Sequence, residues 1–348
     1  MMCGIFGVIY DANQSSSFNQ DINNYVQGCL QRRGPDAGGI YHQNQHKTHV
    51  QLMHRRLSIL DLKTHANQPM KGQHKVICFN GEIYNHLQLR KKFLNNMTFK
   101  TTSDTETLLA LLERFALEKV LPELRGMFAF LVYDHQKHQL LVCRDRAGEK
   151  PLYLATSNKW LAFSSDLSAF YSLPEFKKNI SKAALQAYLQ FGYVPHPNAI
   201  FEQCFKLSPG TYLKVDLSSY RSQACQRFND VIEMKAVKYR SWWSYQSLLT
   251  QKPKMSFDEA KKSVKATLLE SVGLQLISDV PVGCFLSGGI DSSLIASMIA
   301  KHNKPLTCFN IGFEFSDYDE SKAAGAIAKH LGDITGISWL RNTPNGCF

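Results

Sequence analysis

Two strand-like runs, GMFAFLVYD (126–134) and QLLVCRD (139–145), are separated by only four polar residues. No other feature constrains the fold as much. So short a connection joins antiparallel neighbours, whereas parallel strands need a crossover of many residues. Further short β-forming runs lie at 3–10, 38–41, 50–53, 56–60, 75–79, 152–155 and 160–164. Helical patterns fit 18–31, 84–94, 105–117 and 181–190. Asn80-Gly81 is a turn signal, and Glu106 stands at capping-box spacing after Ser103. This first stretch therefore predicts two sheets with helices.

From residue 256 the order changes. A helix fits 256–277, then a buried strand VGCFLS (282–287), a glycine turn and a helix at 291–301. The strand PLTCFNIGF (305–313) and a helix at 319–331 follow. This β-loop-α-β-α order predicts a parallel sheet, with an anion site where the first strand meets its helix. The polar, weakly periodic stretch 214–255 between the two regions reads as a linker with an insertion.

A length of 348 residues suits two domains. No apolar run approaches the roughly 20 residues that span a bilayer. Met1 is not followed by a basic stretch and an apolar segment, so the expectation is a cytoplasmic protein without a membrane partner. Nine cysteines, an odd number with no Cys-x-x-Cys, argue against a disulfide framework or a zinc ribbon. The formal charge of +11 raises nucleic-acid binding. Its densest clusters, Arg90-Lys91-Lys92 and Lys261-Lys262, fall in helical patterns and read as solvated faces. The expectation is no nucleic acid, and an anionic nucleotide substrate suits the charge equally well.

Cys3 follows two methionines. A cysteine at a mature N-terminus can use its own α-amine as base, since the two groups titrate at about 8.5 and about 8. Taken alone, a buried cysteine near a start codon is the commoner reading. Arg56-Leu57-Ser58-Ile59 places a cation on a strand, where it could clamp a carboxylate by two parallel hydrogen bonds. Asn80-Gly81-Glu82 offers an amide, an unhindered N–H and a carboxylate, and such donors can stabilise an oxyanion. Asp104 could bind an ammonium group. Plainer readings exist for each: a surface charge, a hairpin turn and a helix cap. Ser287-Gly288-Gly289-Ile290-Asp291-Ser292-Ser293 could approach a phosphate closely, with Asp291 reaching a magnesium ion, or it could be ordinary turn chemistry.

In order along the chain stand CGIFG (3–7), RRGPD (32–36), HRRLSILDL (54–62), NQPM (67–70), FNGEIYN (79–85), SDTE (103–106), GMFAF (126–130) and residues 144–153. Together they resemble the glutaminase domain of class II amidotransferases, and above all the asparagine synthetase family. The string from Asp279 to Ser293 is similar to that family's ATP pyrophosphatase signature. It is not a Walker loop, because Gly-Lys-Ser/Thr is absent.

The resemblance implies an α+β N-terminal nucleophile hydrolase sandwich (αββα) over 3–213. A partial α/β adenine-nucleotide domain (PP-loop, Rossmann-like) would then cover 256–332. It implies Cys3 as nucleophile and Asn80 and Gly81 as the oxyanion hole. Glutamine would be held by Arg56, Leu57, Ser58, Ile59, Leu60, Asn80, Gly81, Glu82 and Asp104. ATP would be held by Leu286, Ser287, Gly288, Gly289, Asp291, Ser292, Ser293 and Ile311, with Mg2+ at Asp291. Glutamine, aspartate and ATP are the implied substrates. Members of the family often dimerise, which admits a homodimer here.

The chain departs from the family in three places. Met1-Met2 stand where one methionine is usual, and Gln31-Arg32-Arg33 where Arg-His-Arg is usual. Residues 333–348 leave the family pattern, which gives the expectation of a truncated or frameshifted product retaining at most the glutaminase step. Two other readings stay open: an amidotransferase acting on a sugar carboxylate in surface polysaccharide assembly, and a non-catalytic remnant.

Overall fold

In the computed structural model the described residues are 3–13, 18–44, 47–250, 254–302, 306–313, 319–332 and 334–341, the last by backbone alone. The chain divides into two compact units, Met1–Gln251 and Lys252–Phe348.

The first unit holds two six-stranded antiparallel sheets. One runs in the order Cys204–Lys206, Tyr153–Thr156, Trp160–Ser164, Gly4–Asp11, Thr48–Arg56, Ala37–Gln43. The other runs Val237–Ser241, Thr211–Asp216, Gln139–Arg144, Gly126–Asp134, Lys75–Ile83, Met70–Lys71. Alternation along the strands makes the layers. Ile5 and Ile9 share an inner core with Val76, Cys78 and Leu131 of the other sheet. Phe6 and Val8, on the opposite face of their strand, pack with Val26 and Leu30 of the helix Gln20–Gln31. Phe79 and Phe130 likewise face Leu108 and Leu112 of the helix Asp104–Arg114. These are the four αββα layers that the family resemblance implies, with sheets facing inward and helices outside.

Three local expectations are corrected. Asn80-Gly81 is not a turn: the strand continues to Ile83, with Asn80 opposite Ala129 and Gly81 opposite Phe128. A Cβ on Gly81 would lie 2.1 Å from Met127 O, so the glycine serves the close approach of two strands. The run 56–60 is not a strand: extended pairing ends at Arg56. Residues 214–243 are not a linker. The strand Val237–Ser241 pairs with Thr211–Asp216, and Val215, Leu217, Tyr220, Phe228 and Val231 are buried in the inner core. The polar character of that stretch belongs to an edge strand and its approach, whose outward residues are solvated.

The second unit contains a three-stranded parallel sheet, Gly283–Phe285, Leu306–Gly312 and Ile334–Arg341 in that order. The last strand falls in the segment expected to be an atypical tail; residues 342–348 lie outside the described ones. Leu286, Ala296, Ile299, Cys308 and Ala324 make its core. The helix Phe257–Gln275 opens with a capping box between Ser256 and Glu259. No helix among the described residues is long and apolar enough to cross a membrane.

Candidate active site

Cys3 sits just before the first strand, and its thiol meets the loop that follows Arg56. Leu57 N donates to Cys3 Sγ at 3.4 Å, and the thiol lies 3.6 Å from Leu57 O. Burial pushes the thiol up to about 11, against the opposing pull of the Leu57 hydrogen bond. The RRGPD segment braces the same place. Arg33 Nε donates to Cys3 O at 3.2 Å, and Asp36 Oδ2 accepts from Ser58 N at 2.7 Å. Gly34 lies so close to Arg55 that a Cβ would fall 2.3 Å from Arg55 O.

A pocket opens beside the thiol. Cys3, Arg56, Leu57, Ile59, Leu60, Gly81, Glu82 and Asp104 line it, so eight of the expected residues meet in one cavity. Ser58 is not part of the lining; its N–H is held by Asp36. Asn80 lies behind the lining, 1% exposed, with Nδ2 3.5 Å from Ser165 Oγ and Oδ1 buried without a partner. Its amide is thus only weakly engaged.

Arg56 is buried and bonded to the loop it precedes. Its Nη1 donates to Lys63 O at 2.9 Å and Asn67 Oδ1 at 2.8 Å. Its Nη2 donates to Leu60 O at 3.1 Å and to Asp61 O. The guanidinium therefore ties down the loop forming one pocket wall, and brings a positive charge there among neutral oxygens.

Glu82 and Asp104 bring two carboxyls to the same pocket. Ser103, not Asp104, is the helix cap, accepting from Glu106 N at 3.3 Å. Glu106 does not complete a capping box; its carboxylate accepts from Lys100 N and Thr101 N. Asp104 is released from capping and accepts from Ile83 N at 2.7 Å. Burial raises both Glu82 and Asp104, and Asp104 raises Glu82 further by charge repulsion. Glu82 Oε2 is buried with no hydrogen-bond partner. Two crowded carboxyls with an unfilled acceptor make a place for a cation.

Sequence reasoning assigned no role to Gln68, which lines the pocket between Phe79 and Thr105. Its Oε1 accepts from Phe79 N at 2.6 Å and its Nε2 donates to Thr105 Oγ1 at 3.2 Å. The signal available was its place in the NQPM motif. Ala66, Phe79, Ser103 and Thr105 complete the lining.

In the second unit, the turn 287–289 joins the strand Gly283–Phe285 to the helix Ile290–Ala300. Ser287 Oγ and Ser292 Oγ are 2.8 Å apart, and Ser293 Oγ donates to Gly289 O at 2.6 Å. Gly288 packs so closely that a Cβ would lie 2.8 Å from Ala323 Cβ. Hydroxyls and a glycine backbone thus gather at the N-terminus of an 11-residue helix, which fits a phosphate group. Leu286 lies inside the core and Ile311 is 41% exposed, so the two do not share one environment. Asp291 is exposed, and no cluster of three metal-ligating side chains occurs among the described residues.

The model of the glutamine amidotransferase domain family matches residues 2–228, more than half of the chain. The chain belongs to the glutamine amidotransferase family. The asparagine synthase family model matches residues 263–335, within the second unit. Asparagine synthetase [glutamine-hydrolyzing] 1 of Bacillus subtilis is 34% identical over 335 residues, covering 95% of this chain and 49% of that protein. A putative asparagine synthetase of Methanocaldococcus jannaschii is also 34% identical, with 92% and 61% covered. Asparagine synthetase B of Escherichia coli is 31% identical, with 96% and 53% covered. This amidotransferase chain thus spans about half the length of the curated relatives it matches.

Proposed function

We propose that the first unit hydrolyses glutamine to glutamate and ammonia, with Cys3 as nucleophile. One observation carries this reading: the Cys3 thiol opens into a pocket with a cation at Arg56 and two carboxyls, Glu82 and Asp104. That charge pattern suits an amino acid's α-carboxylate and α-ammonium, leaving the side-chain amide for the thiol. The ammonium would settle on Glu82 and Asp104, and restore the ionised forms that burial disfavours.

The reaction needs the residues before Cys3 removed, so that its α-amine is free. The amine takes the thiol proton as Sγ bonds to the carboxamide carbon. Asn80 Nδ2 and the Gly81 N–H stabilise the oxyanion so formed. The amine returns the proton to the departing nitrogen, the C–N bond breaks, and ammonia leaves a thioester. Water attacks the thioester and regenerates the thiol with release of glutamate. The high position of the Cys3 thiol keeps it protonated until substrate and amine are in place.

For the whole protein we infer asparagine synthesis, which the names of the relatives support. The glycine-serine turn 287–293 would hold the pyrophosphate of ATP through Ser287, Gly288, Gly289, Ser292 and Ser293, with Asp291 turned to Mg2+. ATP supplies the adenylate leaving group that lets ammonia displace AMP from the aspartate side chain.

The test is ammonia release from glutamine by a protein whose N-terminal residue is shown by mass to be Cys3. Activity that vanishes in Cys3→Ala supports the reading. Equal activity of the two proteins, or none in either, ends it.

A further inference from the structure

On its outer side the strand Lys75–Ile83 is paired by the short strand Met70–Lys71, with Lys71 opposite Val76 and Met70 opposite Ile77. Continued by two residues, that register sets Gln68 opposite Phe79. There the Gln68 side chain makes the rung in place of its backbone. Gln68 Oε1 accepts from Phe79 N at 2.6 Å, and His54 Nε2 donates to Phe79 O at 3.0 Å. Both side chains are buried, Gln68 at 5% and His54 at 0% exposure. Burial, helped by the charges of Arg56 and Arg55, holds the His54 ring down at about 3, so the ring is neutral near pH 7. A carbonyl only accepts, which places the single ring proton on Nε2. Phe79 is thus gripped at both its N–H and its C=O by side chains from two other segments.

Alternate residues of a strand turn their N–H groups to the same side. Phe79 N goes to Gln68, and Ile83 N goes to Asp104 Oδ2 at 2.7 Å. Gly81 lies between them and points the same way. Its register partner agrees. Phe128 turns its N to Asp145 Oδ2 at 3.2 Å and its O to Asp145 N at 2.8 Å, away from Gly81. The Gly81 N–H therefore leaves the sheet on the side where Gln68, Asp104 and Cys3 line the pocket. The first turn of one helix braces both neighbours: Thr105 Oγ1 accepts from Gln68 Nε2 at 3.2 Å, and Asp104 itself makes the rung at Ile83.

We infer that Gln68 and His54 are positioning residues of the proposed oxyanion hole: as a side-chain rung they fix Phe79 and so aim the Gly81 N–H into the pocket. The inference rests on the glutaminase reading for its chemical consequence and on the rung for its geometry. Neither side chain touches the reacting atoms. The oxyanion exists only once Sγ has bonded to the carboxamide carbon, so a misaimed N–H weakens the transition state and leaves bound glutamine as it was.

The experiment compares wild type, Gln68→Met, His54→Leu and His54→Gln, each as the chain beginning at Cys3. Gln68→Met and His54→Leu should lower kcat for glutamine hydrolysis about tenfold or more with KM within about twofold. His54→Gln, which returns an N–H donor, should recover most of that loss. Alkylation of Cys3 by iodoacetamide is a direct displacement that builds no oxyanion, so its rate should stay within about twofold of wild type. A misfolded site would change both. The inference is overturned if kcat stays within about twofold in both variants, if KM carries the loss, or if alkylation departs from wild type as far as kcat does. If one variant does not fold, the other end of the rung carries the test, and failure of both to fold assigns the rung to stability and overturns the inference.

A second readout needs no catalysis. Labelling the asparagine carbonyl carbon and the glycine nitrogen selects the pairs 80–81 and 345–346 in a nuclear magnetic resonance spectrum, and Asn80→Asp identifies the first by its loss. The Gly81 amide signal should move in Gln68→Met and His54→Leu and return in His54→Gln. A signal that stays in place overturns the inference. If wild type hydrolyses no glutamine, the proposed function fails, while this signal still decides whether the rung sets Gly81.

Discussion

Cys3 and Leu57 hold each other across the mouth of the pocket, Leu57 N donating to Sγ at 3.4 Å and Leu57 O lying 3.6 Å from the thiol. A single backbone amide lowers the thiol but does not offset its burial, so the group stays near 11. In a chain that retains Met2, alkylation of Cys3 at pH 8 should be roughly a hundredfold slower than that of a free thiol. The rate should climb about tenfold per pH unit toward 11. Peptide mapping after timed iodoacetamide treatment reads this directly, and fast labelling at pH 8 would refute it.

The Glu82 and Asp104 carboxyls make stability depend on pH. Both are raised in the folded state, so that state binds more protons than the unfolded chain above the ordinary carboxylate range. Their contribution is fully present below about pH 4 and is lost as pH rises through their folded positions. Glu82→Gln removes one such group. The variant should be more stable than wild type by at least about 1 kcal/mol near pH 8 and should flatten the decline. Denaturant melts at several pH values check this, and parallel curves for the two proteins would count against it.

Gly81→Ala should destabilise the first unit by roughly 3 kcal/mol. The new methyl meets Met127 O at 2.1 Å and the Phe128 Cα at 2.7 Å, and both are strand backbone with no room to move. Thermal unfolding gives the number, and a shift within error would show that the two strands part easily.

Arg56→Lys should loosen the loop 57–67, because one ammonium cannot reach the four acceptors that the guanidinium joins. A loss of about 2–4 kcal/mol is expected, with faster amide hydrogen exchange across the loop than elsewhere. Unchanged exchange there would mean that the loop is held by other contacts.

Two sheets with helices were legible in the sequence because short β-forming runs lie close together, as at 126–134 and 139–145; the order of the four layers came from the family resemblance, and the structure shows it in Ile5 and Ile9 facing one way and Phe6 and Val8 the other. The residues that share the pocket were named through the family resemblance, whose motifs lie in short runs, with Leu57, Ile59 and Leu60 after Arg56, and Glu82 after Gly81. What misled was local signal set aside by tertiary pairing. Asn80-Gly81 has hairpin composition, yet nine register pairs with the strand Gly126–Asp134 carry the backbone straight through it. Glu106 has capping-box spacing, yet two backbone N–H groups at 100 and 101 claim its carboxylate. Gln68 was invisible as a pocket residue, since its place depends on Phe79 and Thr105, which the fold brings together.

Trp242 donates its indole N–H to Arg144 O at 3.2 Å, and its ring stacks on Phe128 at 6.0 Å between centroids. Arg146 covers the same ring at 4.9 Å. A residue nearly thirty positions beyond the expected domain boundary at 213 thus closes over the strand that flanks Gly81 and Glu82. Anyone excising the first unit for expression should place the cut near residue 250. A cut at 213 would strip an edge strand, lay bare Phe128 beneath the lost indole, and be judged inactive for the wrong reason.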